Sequence, residues 1–145
     1  MIVKTTTGTY KPEPRKVLDS NKITEYQELV HRVPVSDHVA DYAVRVARAT
    51  RPDDQATPES VRQAVSWGVG PRASQYLILG SKARAILSGR YTPTTDDVKA
   101  IAPAVLKHRV VLNFRAEAEG IKPDDIIQEI LGKIDPLGNA HLRAS

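Results

Sequence analysis

The sequence contains no cysteine, and this absence excludes a disulfide scaffold, a thiolate zinc site and a cysteine nucleophile. Aromatic residues make up only 5% of the chain, so Ala, Val, Ile and Leu must build the core, which favours packed helices over a β-sandwich. No apolar run approaches the roughly 18 residues of a membrane-spanning helix, and residues 1–10 lack the apolar stretch of a signal peptide. We therefore expect a cytoplasmic protein without a membrane span.

The residues that are present fit one soluble domain. The chain has 145 residues, of which 41% are hydrophobic and 26% are charged, so it can bury a core of its own. Its 21 basic and 17 acidic side chains give a net charge of +4 and a pI near 9.4. This mild excess permits contact with phosphate or with an acidic partner but does not require it.

Apolar spacing and helix-end signals predict an all-α fold, an irregular bundle of about six helices. The expected bundle spans 18–133, between an extended lead-in at 1–17 and a flexible tail at 134–145. The predicted helices lie at about 23–33, 36–51, 57–67, 71–88, 94–102 and 123–132. Pro103 is expected to interrupt the fifth, with a helical continuation at 104–108, and 110–112 is expected to be extended.

Two of these helices carry further expectations. The second should bury Val39, Ala40, Ala43, Val44 and Ala47, while three arginines form a solvated face opposite them; they are Arg45, Arg48 and Arg51. The helix from residue 71 is apolar around most of its circumference, which predicts a central position, with Gly89 as its C-terminal stop.

Most catalytic and metal-binding patterns are missing. The four histidines are scattered, so we expect no metal site. Acidic pairs occur at 53–54, 96–97 and 124–125, where the amides and dipole of a helix start would explain them without acid–base catalysis. Neither a nucleophile elbow nor a phosphate loop is present.

A purely structural role does not fully account for the segment at 68–74. Gly68 and Gly70 lead into a helix that carries Arg72 in its first turn. A cation at that end costs roughly 0.3–1 kcal/mol at an exposed site. A bound anion would offset this cost, because free amides, the dipole and a guanidinium together favour phosphate. The alternative is an arginine that turns to solvent or to a neighbouring carboxylate.

Residues 67–74 also resemble the sensor-2 segment of the MoxR family of AAA+ ATPases. The resemblance covers about residues 18–131 in the family's order and spacing. Three further parts carry it. The first lid helices are resembled by 33–36, 41–42 and 49–52, and the central lid helix by 82–85 with 89–90. The run that follows the central helix is resembled by 97–98, 102–103, 105–106 and 108–109. The chain departs from the family at 92–95, and at Lys122, where a threonine cap is usual.

This resemblance implies the C-terminal lid of a larger ATPase, because the family's phosphate loop, Walker B acids and sensor 1 belong to a core that this chain lacks. It implies that Arg72 is the sensor-2 arginine and that Gly70, Pro71, Arg72 and Ala73 border the nucleotide. ATP and Mg²⁺ would be used by the complete protein, and this chain alone would bind neither stably and would be inactive.

The resemblance further implies partners: the ATPase core, neighbouring subunits of a ring that is usually hexameric, and client proteins that often carry von Willebrand factor A domains. Family members are associated with chaperone-like maturation of such clients. Two other functions remain open on the residues. One is a basic helical module for nucleic acid, which would use Arg45, Arg48 and Arg51 or Lys82, Arg84 and Arg90; the other is a helical adaptor that binds only protein.

Overall fold

The computed structural model describes residues 15–136, which form seven helices and one two-stranded sheet. Most of the predicted lead-in and tail therefore lies outside the described residues. The elements in chain order are α1 (Ser20–Arg32), α2 (Asp37–Arg48), α3 (Glu59–Ala64), β1 (Val65–Trp67), α4 (Arg72–Leu87), α5 (Thr95–Leu106), β2 (Val111–Leu112), α6 (Phe114–Ala118) and α7 (Pro123–Lys133). The predicted all-α class is confirmed, with the small sheet as an addition.

The predicted helix at 57–67 is wrong at its C-terminal end. Helix α3 ends at Ala64, and β1 then pairs with β2 in antiparallel fashion, with Val65 opposite Leu112. The reason is tertiary, since the partner strand lies more than 40 residues along the chain and offers backbone hydrogen bonds that a short helix end lacks. The extended conformation predicted for 110–112 agrees with β2. The interruption expected at Pro103 is wrong, because α5 runs from Thr95 to Leu106 with Pro103 inside it.

Helix α6 was not predicted, because five residues are too few to show an apolar period. Asn113 caps this helix, and its side chain accepts a hydrogen bond from the Ala116 amide at 2.9 Å.

The core lies between α2, α4, α5 and α7. Each of these helices contributes fully buried side chains, among them Val39 and Tyr42 of α2, Leu77 of α4, Leu106 of α5 and Ile130 of α7. The predicted stripe of α2 is correct at Val39, Ala43 and Ala47 but wrong at Val44, which is 43% exposed, and Tyr42 and Val46 are buried instead.

Helix α4 packs against α1, α2 and α5. Gly80 allows the close approach to α5, since a Cβ there would lie 2.7 Å from the Ile101 side chain. The central position predicted for α4 agrees with these contacts. Not all of its apolar side chains are buried, because Tyr76 is 46% exposed and Leu87 is 88% exposed. Gly89 follows the helix with φ +69°, a conformation that suits glycine and agrees with the predicted stop.

Helix α1 forms the predicted apolar stripe but buries little of it. None of its residues is buried, and Ile23, Tyr26 and Leu29 are each 47% exposed. Among residues 15–136, no helix has the length and hydropathy needed to cross a membrane.

Candidate functional site

The segment between β1 and α4, residues 68–71, is called here the β1–α4 connection. It lies directly on the backbone that follows α2. A Cβ at Gly68 would be 2.5 Å from the Thr50 carbonyl oxygen and 2.7 Å from the Arg51 Cα, so only glycine fits at this point. Gly70 has open space around its Cα, and its presence has no such steric cause.

Two side chains hold the centre of the β1–α4 connection. The Val69 amide donates a hydrogen bond to the Thr50 hydroxyl at 2.9 Å, and the Val69 carbonyl accepts one from Arg51 Nε at 2.9 Å. The Thr50 side chain is fully buried and donates in turn to the Ala47 carbonyl at 2.7 Å. Both backbone polar groups of Val69 are thereby fixed to the end of α2.

Helix α4 begins with Arg72, whose side chain is exposed. Within residues 15–136 this side chain forms no hydrogen bond and no ion pair. Most arginines in the described part of the chain differ in this respect, because each has a carboxylate partner within 4 Å; they are Arg32, Arg45, Arg48, Arg62, Arg84, Arg90 and Arg115. Within the described residues, Arg72 is thus an exposed guanidinium without a hydrogen-bond or ion-pair partner, at the positive end of a 16-residue helix.

The other residues predicted for the site take different positions. Gly70 and Pro71 are exposed beside Arg72. The Ala73 side chain is 1% exposed and packs in the core, and the Ala73 amide donates to the Gly70 carbonyl at 3.0 Å. Because that amide is already engaged, the guanidinium of Arg72 is the main group this turn can offer to an anion.

A surface cleft of about 420 Å³ lies beside the β1–α4 connection. One wall is formed by residues 51–53 and the other by residues 66–70. Trp67, the chain's one tryptophan, lines the cleft and is 74% exposed. The cleft therefore combines a guanidinium, a carboxylate and an indole.

The solvated face expected from Arg45, Arg48 and Arg51 is correct at Arg48, which is exposed, but the other two are partly buried and all three have partners. Arg45 Nε lies 2.7 Å from an Asp41 carboxylate oxygen, and Arg48 Nε lies 2.7 Å from one of Asp54. Arg51, as described, binds the Val69 carbonyl. These partners, together with the Asp97 contacts of Arg84 and Arg90, argue against the nucleic-acid alternative, which needs these cations free for phosphates.

The acidic pairs at 96–97 and 124–125 stand at helix starts, as predicted. Asp97 accepts from the Thr94 amide at 2.8 Å, and Asp125 accepts from the Lys122 amide at 2.8 Å, so Lys122 begins α7 although it is not a threonine. The prediction for 53–54 is wrong, because these residues lie in the loop before α3. There the Ala56 amide and then Arg48 lower the pKa of Asp54.

Asp97 is also the centre of the strongest ion-pair cluster in the described residues. Arg90 binds its two carboxylate oxygens at 2.7 and 2.6 Å, and Arg84 Nε lies 3.2 Å away. Asp97 itself is only 2% exposed. These hydrogen bonds, that of Arg90 above all, lower the pKa of Asp97 to about 2.

The described residues contain no group of three or more histidine, cysteine or acidic side chains placed to hold a metal ion.

A family model of the AAA lid domain matches residues 57–130, which are 74 of the chain's 145 residues. The chain belongs to the AAA lid domain family. The match includes the β1–α4 connection, Arg72 and the whole of α4 and α5.

Two curated relatives and one solved structure extend this assignment. The lid domain is 33% identical over 124 residues to Chaperone MoxR1 of Mycobacterium tuberculosis, a match that covers 86% of this chain and 33% of that protein. It is 32% identical over 108 residues to the uncharacterized protein YeaC of Bacillus subtilis, covering 74% of this chain and 31% of YeaC. A crystal structure from Cytophaga hutchinsonii, of a protein assigned as an ATPase, superposes with a TM-score of 0.81 and 28% identity over 92% of this chain and 41% of that one.

This chain therefore spans about a third of the length of the curated relatives it matches. Together the matches show an AAA lid domain of the MoxR type, as the sequence motifs predicted.

The sequence did not predict the role of Thr50 and Arg51. They belong to one of the segments that resemble the family, but their contact with Val69 joins residues 18 and 19 positions apart. No periodicity within one helix could have revealed it.

Proposed function

We propose that this lid closes over ATP bound to an ATPase core and that Arg72 is its sensor-2 arginine. The observation that supports this proposal is the state of Arg72, which is exposed and has no partner within residues 15–136, while it starts a helix whose lead-in is fixed to α2. An arginine with a purely structural role would be expected to have a partner of its own, as Arg84 and Arg90 do.

The proposed chemistry follows from the geometry of a guanidinium. Phosphoryl transfer spreads negative charge over the oxygens of the transferred group, and a planar fork of N–H donors can follow that charge. The N-terminal end of the α4 dipole is positive, as is Arg72, so an anion at this end of the helix is attracted by both. In this proposal Gly70 and Pro71 border the nucleotide with Arg72, and Ala73 fixes the turn beneath them.

The remaining groups come from outside the described residues. The core would bind MgATP and orient the attacking water, and the lid would change position with the nucleotide state. We further propose that the ATPase works in the cytoplasm as a ring, of six subunits as is usual in the class, and remodels partner proteins, some with von Willebrand factor A domains. The name of the Mycobacterium tuberculosis relative, a chaperone, supports the remodelling role.

The test is steady-state ATP hydrolysis by the complete ATPase, with this lid joined to its core. Arg72→Ala should lower turnover by about 10²-fold, which is below the roughly 10³–10⁵ seen for arginine fingers because a sensor arginine shares its task. Arg72→Lys should recover only part of the loss, since it keeps the charge but not the fork.

Arg115→Ala is the matched control. It also removes one exposed arginine, whose only ion-pair partner among the described residues is the exposed Glu119 on the same helical turn. Turnover that is unchanged in Arg72→Ala, or equally reduced in both variants, would refute the sensor-2 assignment.

The lid alone should neither hydrolyse ATP nor bind it tightly, because one arginine supplies no Mg²⁺ ligands and no attacking water. Hydrolysis by the purified lid that persists in Arg72→Ala and after removal of contaminating ATPases would contradict the proposal.

A further inference from the structure

The β1–α4 connection is short, yet several contacts fix it to the residues that follow α2. It contains four residues, and both hydrogen-bonding groups of Val69 are taken by side chains of Thr50 and Arg51. Gly68 adds a third contact, because its Cα lies against the Thr50 and Arg51 backbone too closely for any side chain. Two successive residues of α4's lead-in, Gly68 and Val69, therefore depend on the two residues Thr50 and Arg51 that follow α2.

The two side chains are themselves fixed. The Thr50 hydroxyl is buried and uses its proton for the Ala47 carbonyl, which leaves its lone pair for the Val69 amide. The Arg51 carbonyl accepts from the Thr57 hydroxyl at 2.6 Å, which holds the Arg51 backbone from the other side. Neither side chain forms a hydrogen bond with Arg72 within the described residues, and the contacts that link them to α4 run through the Val69 backbone.

We propose that Thr50 and Arg51 are positioning residues for Arg72. They set the direction in which the β1–α4 connection enters α4, and so the place from which the Arg72 guanidinium reaches a phosphate. The inference rests on the proposed sensor-2 role of Arg72. It adds that the arginine acts from a position set by α2, and that a small displacement of the connection reduces catalysis even when the lid stays folded.

The test is a set of variants in the complete ATPase. Thr50→Val keeps the shape of the side chain but removes the acceptor for the Val69 amide, and should lower kcat by about 10-fold or more, since misplacing a catalytic group by 1 Å can cost about 10²-fold. KM for ATP should change less than kcat, because the loss concerns charge that develops during transfer. Thr50→Ser keeps the hydroxyl and should restore most of the turnover. Arg51→Met, which loses the bond to the Val69 carbonyl, should act in the same direction as Thr50→Val.

Ser81→Ala is the structural control. The Ser81 hydroxyl is also fully buried and donates to a carbonyl one turn earlier, that of Leu77 at 2.7 Å, but within α4 and away from the connection. It should lower the melting temperature less than Thr50→Val, because no buried amide is left without an acceptor, and it should leave kcat unchanged. In the lid alone, the Val69 amide should lose protection from hydrogen exchange in Thr50→Val and keep it in Ser81→Ala.

A double-mutant cycle separates this inference from the proposed function. If Arg72→Ala lowers turnover and Thr50→Val adds no further loss in that background, the two residues act as one unit, as proposed. If Arg72→Ala lowers turnover but Thr50→Val does not, or if the two losses simply multiply, the positioning role is wrong and the sensor-2 role stands. If Arg72→Ala has no effect, the proposed function fails and the positioning role fails with it.

Discussion

The two ends of helix α4 use arginine in opposite ways. At its C-terminal end, Arg84 and the following Arg90 both bind Asp97, a carboxylate that is almost completely buried. At its N-terminal end, Arg72 has no partner in the described chain, although the backbone that leads to it is fixed by side chains from α2. The difference indicates that the C-terminal cluster stabilises the lid, whereas the N-terminal arginine makes no such contribution within the described residues and fits the role proposed for it above.

The largest loss of folding stability is expected at the C-terminal end of α4, where the arginines are paired with Asp97. Asp97→Asn keeps the shape of the side chain but removes the charge that holds Arg84 and Arg90, and it weakens the cap of α5. Removing one partner of a buried ion pair costs about 3–5 kcal/mol. Because both arginines are partly exposed, we expect a loss below that range, about 2–3 kcal/mol, in urea unfolding of the lid. A loss below about 0.5 kcal/mol, the size typical of a neutral surface change, would show that the cluster is not structural.

The same cluster should make stability depend on acid pH. Asp97 has a pKa of about 2 in the folded lid, against 3.8 without its partners. A carboxyl group with a lowered folded-state pKa stabilises the protein above its unfolded pKa and loses this contribution as pH falls towards the folded value. We therefore expect up to about 2 kcal/mol to be lost between roughly pH 4 and pH 2.

Asp54 and Glu129 also have lowered pKa values, so the wild-type curve alone is not specific. The measurement is the difference between wild type and Asp97→Asn, followed by thermal unfolding from pH 7 to pH 2. That difference should shrink as the pH falls. A difference that stays constant over this range would contradict the assignment of the pKa shift to Asp97.

At the other end of α4, two glycines of one short segment should respond differently to alanine. In Gly68→Ala the new Cβ would meet the Thr50 and Arg51 backbone, which cannot move aside easily, and the lid should lose about 1–3 kcal/mol. In Gly70→Ala the Cβ meets nothing within 4 Å, and stability should change by less than about 1 kcal/mol. Chemical unfolding of the two variants side by side is the check, and equal losses would mean that the connection does not lie against α2.

Features of the fold that depend on neighbouring residues could be predicted from the sequence, and features that depend on remote residues could not. The helix starts at Thr94 and at Pro123 follow from residues a few positions apart, and the capping contacts of Asp97 and Asp125 agree with that reading. Strand β1 was mistaken for helix because its partner, β2, is remote in the chain. The burial of Tyr42 in place of Val44 likewise depends on where α5 packs, which no pattern within α2 specifies.

The site shows the same limit. Arg72 could be singled out from its two neighbouring glycines and its place in a first helical turn. Its lack of a carboxylate partner within the described residues could not be predicted from the sequence. The ion pairs of the other arginines include contacts between separate elements, such as Arg48 with Asp54 and Arg84 with Asp97. The first turn was expected to offer free amides to an anion, but the amide of Ala73 donates to the Gly70 carbonyl.

The smallest expected effect on folding is that of Arg72→Ala in the lid alone, and it is the sharpest test of the contrast between the two ends. Alanine is the best helix former, and the change removes a positive charge from the positive end of the helix dipole. No hydrogen bond or ion pair with the described residues is lost. The free energy of unfolding should therefore stay the same or rise by at most about 1 kcal/mol.

Arg84→Ala should instead lower the free energy of unfolding, by up to about 1 kcal/mol, because Arg84 gives up its contact with Asp97 and is half exposed. Urea unfolding at low salt, where the dipole is least screened, gives both values. If Arg72→Ala destabilised the lid as much as Arg84→Ala, Arg72 would be a structural residue, and its exposure would no longer support a role towards the nucleotide.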